Sequence, residues 1–349
     1  MWDKKLKNRT IKKKLSRWMT VVCSFLLAVG LGFSVGSAAA EYFPESRETQ
    51  AQTKAVQTKK VSVGGMPAGI YMETDGVLIL DTQQIKGIDG KMYEPAQGMV
   101  KSGDYIKAVN QKEICGKKEL LKELEKIVLQ AVETAAGEYK LGIWVRDNVQ
   151  GLGTVTFLTE QNEFGALGHG IHDTDTNGLM EISGGKLYRT TIQNVVKGSS
   201  GNPGTMEGMI VYNRYNLLGT IEKNTDAGIY GRLDKTEELF GKKELVETAA
   251  KEEIVTGPAK MRCFLEDEVR EFDIEVMKVD QETAEINKGM MIRVTDEELL
   301  EKTGGIIQGM SGSPILQNGK LIGAVTHVFV MDSTKGYGIF AETMLEQLK

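Results

Sequence analysis

Three histidines, three cysteines and six prolines are all that 349 residues contain. So few histidines leave a short roll of candidates for acid–base chemistry near neutral pH. Cys23, Cys115 and Cys263 share no metal-type spacing and make no disulfide framework. A positive balance is missing too. The chain carries a net charge of −5, which argues against nucleic acid as a partner. No repeat of 20–50 residues is present, so solenoids and propellers are set aside. No pattern calls for a cofactor. What is plentiful is glycine, 40 residues of it, in a chain that is 41% hydrophobic. That combination suits tight turns between buried strands.

The charge is unevenly placed. Residues 1–18 form a basic head, with Lys4, Lys5, Lys7, Arg9, Lys12, Lys13, Lys14 and Arg17 against the single acid Asp3. Residues 19–40 carry no charge. As a helix they would span about 33 Å, close to a bilayer core. Positive residues before an apolar span stay cytoplasmic, so the acidic body is expected to be exported behind a transmembrane anchor or signal segment. Ala38-Ala39-Ala40 offers a small-residue cleavage site. Residues 41–60 are polar and aperiodic, a flexible tether.

Residues 61–136 read as a small α/β unit. Gly64-Gly65-Met66-Pro67-Ala68-Gly69-Ile70 is a glycine loop entering a strand. Ser102-Gly103-Asp104 turns into Tyr105-Ile106-Lys107-Ala108-Val109-Asn110, and residues 117–132 have helical apolar spacing. The pattern P-A-x-G followed by G-D-x-I-x-x-V-N resembles a bacterial PDZ domain. That resemblance implies that Ala68, Gly69 and Ile70 hold a peptide C-terminus through their amides. The plainer reading is a module that only packs on its neighbour.

Residues 137–349 differ in texture. Short alternating runs rich in β-branched residues, such as residues 153–159, 208–213 and 272–279, are bounded by glycine or asparagine. They predict a β-barrel or sandwich. Residues 235–251 have charged helical character, Thr295-Asp296-Glu297-Glu298 reads as a capped helix start, and residues 342–349 as a terminal helix.

The candidate chemistry lies in two glycine-framed loops. Gly309-Met310-Ser311-Gly312-Ser313-Pro314 presents one serine on bare backbone, where the amides of Gly309 and Ser311 can form an oxyanion hole. Ser313 reads as a loop residue. Gly168-His169-Gly170 offers the base. His169 and His172 with Asp173 and Asp175 invite a metal reading. However, H-x-x-H is not H-E-x-x-H, and a calcium loop starting at Asp173 would have Gly184 where it needs glutamate. A polar hairpin loop is preferred there, with no metal.

G-M-S-G-S-P followed by an apolar strand, the turn Asn318-Gly319 and L-I-G-A-V-T-H resembles the serine region of chymotrypsin-like peptidases. In that register Ser311 is the nucleophile and Thr326-His327 lie on the strand that pairs with substrate. Together with the basic head, apolar span, PDZ-like unit and G-A-L-G-H-G-I, the chain resembles the stage IV sporulation protein B family of serine peptidases. The resemblance implies a mainly β protein: a transmembrane helix, a small α/β PDZ domain and a chymotrypsin-like double β-barrel over 137–349. It also implies export to the space between forespore and mother cell, and self-cleavage of its own N-terminal region. Release would be followed by cleavage of a membrane-bound regulator of an intramembrane protease. It places the triad acid at Asp296, 15 residues before Ser311. Asp226 and a dyad oriented by a backbone carbonyl remain open alternatives at this point. So does a PDZ peptide-binding protein whose protease-like domain is inactive.

Overall fold

The computed structural model describes residues 59–124, 131–241 and 244–349. The basic head, the apolar segment 19–40 and nearly all of the tether lie outside the described residues. Among the described residues no helix is long and apolar enough to cross a membrane.

Two closed barrels of six strands each build the body. The first uses β2 (Pro67–Thr82), β4 (Ile143–Leu158), β5 (Glu163–Ala166), β6 (Ile182–Val196), β8 (Leu217–Thr225) and β9 (Gly228–Leu233). Their antiparallel order is β2-β4-β5-β9-β8-β6, closed by β6 on β2. The short strands β1 (Lys60–Val63) and β3 (Tyr105–Ile106) add to β4 and β2, and β7 (Thr205–Ile210) pairs with β6. The strand β10 (Leu245–Glu247) lies on β1, within the stretch the sequence reads as a helical excursion. Among the described residues of that stretch before it, only the four-residue helix α2 (Glu237–Phe240) forms. Pairing with β1, distant in sequence, overrides its local charge pattern.

The second barrel runs β11 (Gly257–Leu265), β12 (Glu268–Val279), β13 (Met290–Val294), β16 (Asp332–Phe340), β15 (Lys320–Phe329) and β14 (Pro314–Gln317), closing on β11. Alternate side chains explain why these segments are strands. Ala259, Met261, Cys263 and Leu265 of β11 are buried, as are Phe272, Ile274 and Val276 of β12. A period of two sends such residues to one face, here the barrel interior. A third apolar cluster joins the barrels. Val61, Val63, Phe157 and Tyr230 pack with Leu321, Ala324, Ile339, Met344 and Leu345. The last two belong to the terminal helix α4 (Ala341–Glu346).

β2 and β4 are each 16 residues long and run beyond the barrel as a paired ribbon. Residues between them form a small α/β insertion with the helix α1 (Lys117–Leu124) and its own core of Val77, Ile114 and Leu120. The unit expected to begin at residue 61 therefore starts near residue 75, and contacts gather Val56–Lys349 into one unit. Ala68, Gly69 and Ile70 are not a loop. They are central in β2, opposite Gly153, Leu152 and Gly151 on one side and Arg189, Tyr188 and Leu187 on the other. Both edges are paired, so this segment has no free ladder of amides for a peptide carboxylate. Only distant pairing distinguishes this glycine-containing strand from a glycine loop.

Candidate active site

The Ser311 loop sits at the seam between the barrels, held by β4. Thr154 N–H donates to the Ser311 carbonyl (3.0 Å) and the Thr154 hydroxyl to the Gly309 carbonyl (2.8 Å). The Thr156 hydroxyl donates to the Gly312 carbonyl (2.7 Å). From the other side, Gly312 N–H donates to the Val325 carbonyl and Val325 N–H to the Ser313 carbonyl. The loop is thus a strap between β4 of one barrel and β15 of the other. With this much of its backbone engaged, the remaining amides matter. Among the described residues, the N–H groups of Gly309 and Ser311 have no acceptor. Gly309 has φ +101°, a conformation L side chains rarely adopt.

Gly312 is where the serine loop and the histidine loop touch. It has φ +94°, and a Cβ there would lie 2.1 Å from the Thr154 carbonyl oxygen and 2.5 Å from the Leu167 nitrogen. Leu167 is two residues before His169. The next residue, Gly168, faces the side chains of Thr326 and Ile339. His169 therefore stands over the Thr326–His327 strand, its ring 5.0 Å from that of His327. The Ser311 hydroxyl rests on this same strand, donating to the Thr326 carbonyl (2.8 Å). Sequence reasoning names Ser311, His169, Thr326 and His327, and the fold brings all four to one place.

His169 Nδ1 lies 2.9 Å from the Gly170 carbonyl oxygen. A carbonyl only accepts, so Nδ1 carries the proton and Nε2 keeps a lone pair. Burial pushes the His169 pKa down from the ordinary histidine value, opposed by the Gly170 bond and aided by nearby His172. A lowered pKa favours the neutral imidazole. Burial and, after it, the neighbouring His169 push His327 down to about 4.

Asp296 is not behind His169. It is the N-cap of α3 (Glu297–Thr303), accepting from Leu299 N–H (3.0 Å) and from Asp273 N–H (3.3 Å). A carboxylate bonded to two backbone amides at a helix start is a structural cap. Asp226, on the β8–β9 turn, faces His172 Nε2 at 3.7 Å rather than His169. Asp173 is also engaged elsewhere. Its carboxylate is buried against Arg146 and accepts from the amides of Asp175 and Thr176, which closes the polar loop after His172. Ser313 is fully buried, and its hydroxyl has no partner among the described residues.

Sequence reasoning missed Thr154 and Thr156. They lie two apart, so both hydroxyls fall on one face of a strand. Two threonines at that spacing in a buried run were the available signal.

Residues 137–345 match the family model described as SpoIVB peptidase S55. No curated protein matches the chain. Among solved structures, it is similar to the Rv3671c protease of M. tuberculosis in its active form. That overlap has 15% identity and TM-score 0.30 over 58% of this chain and 74% of that one. The inactive form of that protease gives 14% identity and TM-score 0.30 over 57% and 83%. The HtrA-type protease AlgW with decapeptide gives 12% identity and TM-score 0.35 over 82% and 63%.

Proposed function

The chain belongs to the SpoIVB peptidase S55 family and is a serine endopeptidase, and from that premise we propose that its chemistry runs on a Ser311–His169 dyad. The observation that carries this reading is the contact of Gly312 with Leu167, which presses the serine loop against the histidine loop.

A peptide lies along Thr326–His327 as an added strand, and its N–H competes with the Ser311 hydroxyl for the Thr326 carbonyl. The freed hydroxyl turns toward His169 Nε2, gives up its proton there, and attacks the scissile carbonyl. The Gly309 and Ser311 amides take the oxyanion, and imidazolium His169 protonates the leaving amine. The Gly170 carbonyl stands where a carboxylate would hold the imidazole.

In the wider reading the basic head and apolar segment anchor an exported body in the forespore membrane. Cleavage within the tether releases it. A cut before Lys59 leaves the barrels whole, because their first strand begins at Lys60. The freed enzyme then cuts a membrane-bound regulator of an intramembrane protease during endospore formation. The α/β insertion takes a peptide C-terminus. Its apolar cavity of about 670 Å³, lined by Met99, Tyr105, Leu120, Leu124 and Ile143, is the place offered in this reading.

Ser311→Ala is expected to abolish both self-cleavage and labelling by a serine-directed phosphonate, and His169→Ala to reduce both severely. Undiminished processing by purified Ser311→Ala protein refutes the reading.

A further inference from the structure

The Gly170 carbonyl that orients His169 belongs to the same peptide group as the Ile171 N–H. That N–H donates to Asn224 Oδ1 at 2.9 Å. The Asn224 amide nitrogen in turn donates to the Ile171 carbonyl (2.9 Å) and the Met180 carbonyl (3.0 Å). The side chain is anchored at three points on the histidine loop. The chain of bonds runs from Asn224 Oδ1 through the Ile171 N–H and the Gly170 carbonyl to His169 Nδ1–H. Hydrogen bonds in series polarise one another and fix one another's direction.

We propose that Asn224 is the positioning residue for the base, acting through the Gly170–Ile171 peptide group in place of a triad carboxylate on the imidazole itself. This rests on His169 being the base. Asn224 stands on β8, two residues before the β8–β9 turn that carries Asp226. His172 shares the Gly170 carbonyl through its own Nδ1 (3.2 Å) and meets Asp226 on its far side. Asp226 thus faces His172 rather than His169. An asparagine suits the position as aspartate would not. One end must accept from an N–H while the other donates to two carbonyls, and a carboxylate can only accept. Gly170 packs closely on the end of β8, since a Cβ there would lie 2.7 Å from the Thr225 carbonyl oxygen.

The test follows His169 in two ways. In a Ser311→Ala background, which removes turnover, the His169 imidazole is titrated by NMR. Asn224→Ala is expected to expose the His169 Nδ1 proton to solvent exchange, so that its signal is lost. Asn224→Asp is expected to move the His169 midpoint upward, because a negative charge at the end of the chain of bonds favours the imidazolium. In the active protein Asn224→Ala is expected to lower kcat roughly 10²-fold, the scale of a misplaced catalytic group, with KM within about twofold. Tm is recorded for each variant. An unchanged Nδ1 signal and midpoint in both variants overturns the proposal, whatever happens to Tm or kcat. Those NMR changes in a protein whose His169→Ala variant keeps full activity would support the positioning while refuting His169 as the base.

Discussion

Gly312→Ala is the sharpest perturbation the site offers. The added carbon would sit 2.1 Å from the Thr154 carbonyl oxygen and 2.5 Å from the Leu167 nitrogen. An ordinary carbon–oxygen contact is ~3.3 Å, so the loops must part by roughly 1 Å. The φ of +94° adds strain of about 1–2 kcal/mol for a residue with a side chain. Both atoms approached are backbone, so no side-chain rotation relieves the clash. The displaced groups are the ones that matter: Thr154 holds the serine loop, and Leu167 leads into His169. A misplacement of this size at a reacting centre costs about 10²-fold in rate. We expect kcat for a peptide substrate to fall by at least that factor while the protein stays folded. The assay is steady-state cleavage of a tether-derived peptide, with circular dichroism and thermal melting on the same samples. A Gly312→Ala enzyme with wild-type kcat would refute the claim that contact at Gly312 sets the geometry of the dyad.

Three further outcomes are expected. Thr156→Val keeps the shape but leaves the Gly312 carbonyl without its donor, so stability should drop by ~1–3 kcal/mol, read by denaturant unfolding. Asp296→Ala should lower stability by about 1 kcal/mol through loss of the α3 cap and leave kcat within a few-fold; a loss of turnover without a loss of stability would restore it to the catalytic group. The third concerns pH. The folded pKa values of His169 and His327 lie below the unfolded value of about 6.5. Below that value the unfolded chain binds protons that the folded chain resists. Stability contributed by these rings is therefore present above about 6.5 and is lost as pH falls toward their folded values. Tm should fall over that window, and less so in His327→Asn. The acidic limb of kcat/KM should likewise lie below the ordinary histidine range, since His169 stays neutral there.

Much of this was legible where the signal is local. Glycines flanking Ser311 and His169 mark loops that need bare backbone, and alternation in residues 272–279 marks a strand. The Thr295–Glu298 segment carries a helix-start signal that competes with its reading as a triad acid, and the local hydrogen bonds to Leu299 and Asp273 win. What escaped depends on partners distant in sequence. Pro67–Ile70 looks like a binding loop until β4 and β6 are seen on either side of it. Asn224 gives no sign of its role, because its three bonds go to backbone 44 to 53 residues away. Thr154 and Thr156 read only as a strand, since the carbonyls they serve lie 155 and 156 residues further on.

The strand β4 has one more implication. Its register with β2 shifts between Trp144 and Val145 and again between Arg146 and Asn148, then runs without a break to Thr154. Irregularities of this kind let a strand bend, while the regular stretch beyond them is stiff. About 26 Å of strand, at ~3.3 Å per residue, separates Arg146 from Thr154. One continuous rod therefore has a joint beside the α/β insertion and a clamp on the serine loop. The same strand that borders the α/β insertion therefore carries the Thr154 bonds to the serine loop, with no linker between them.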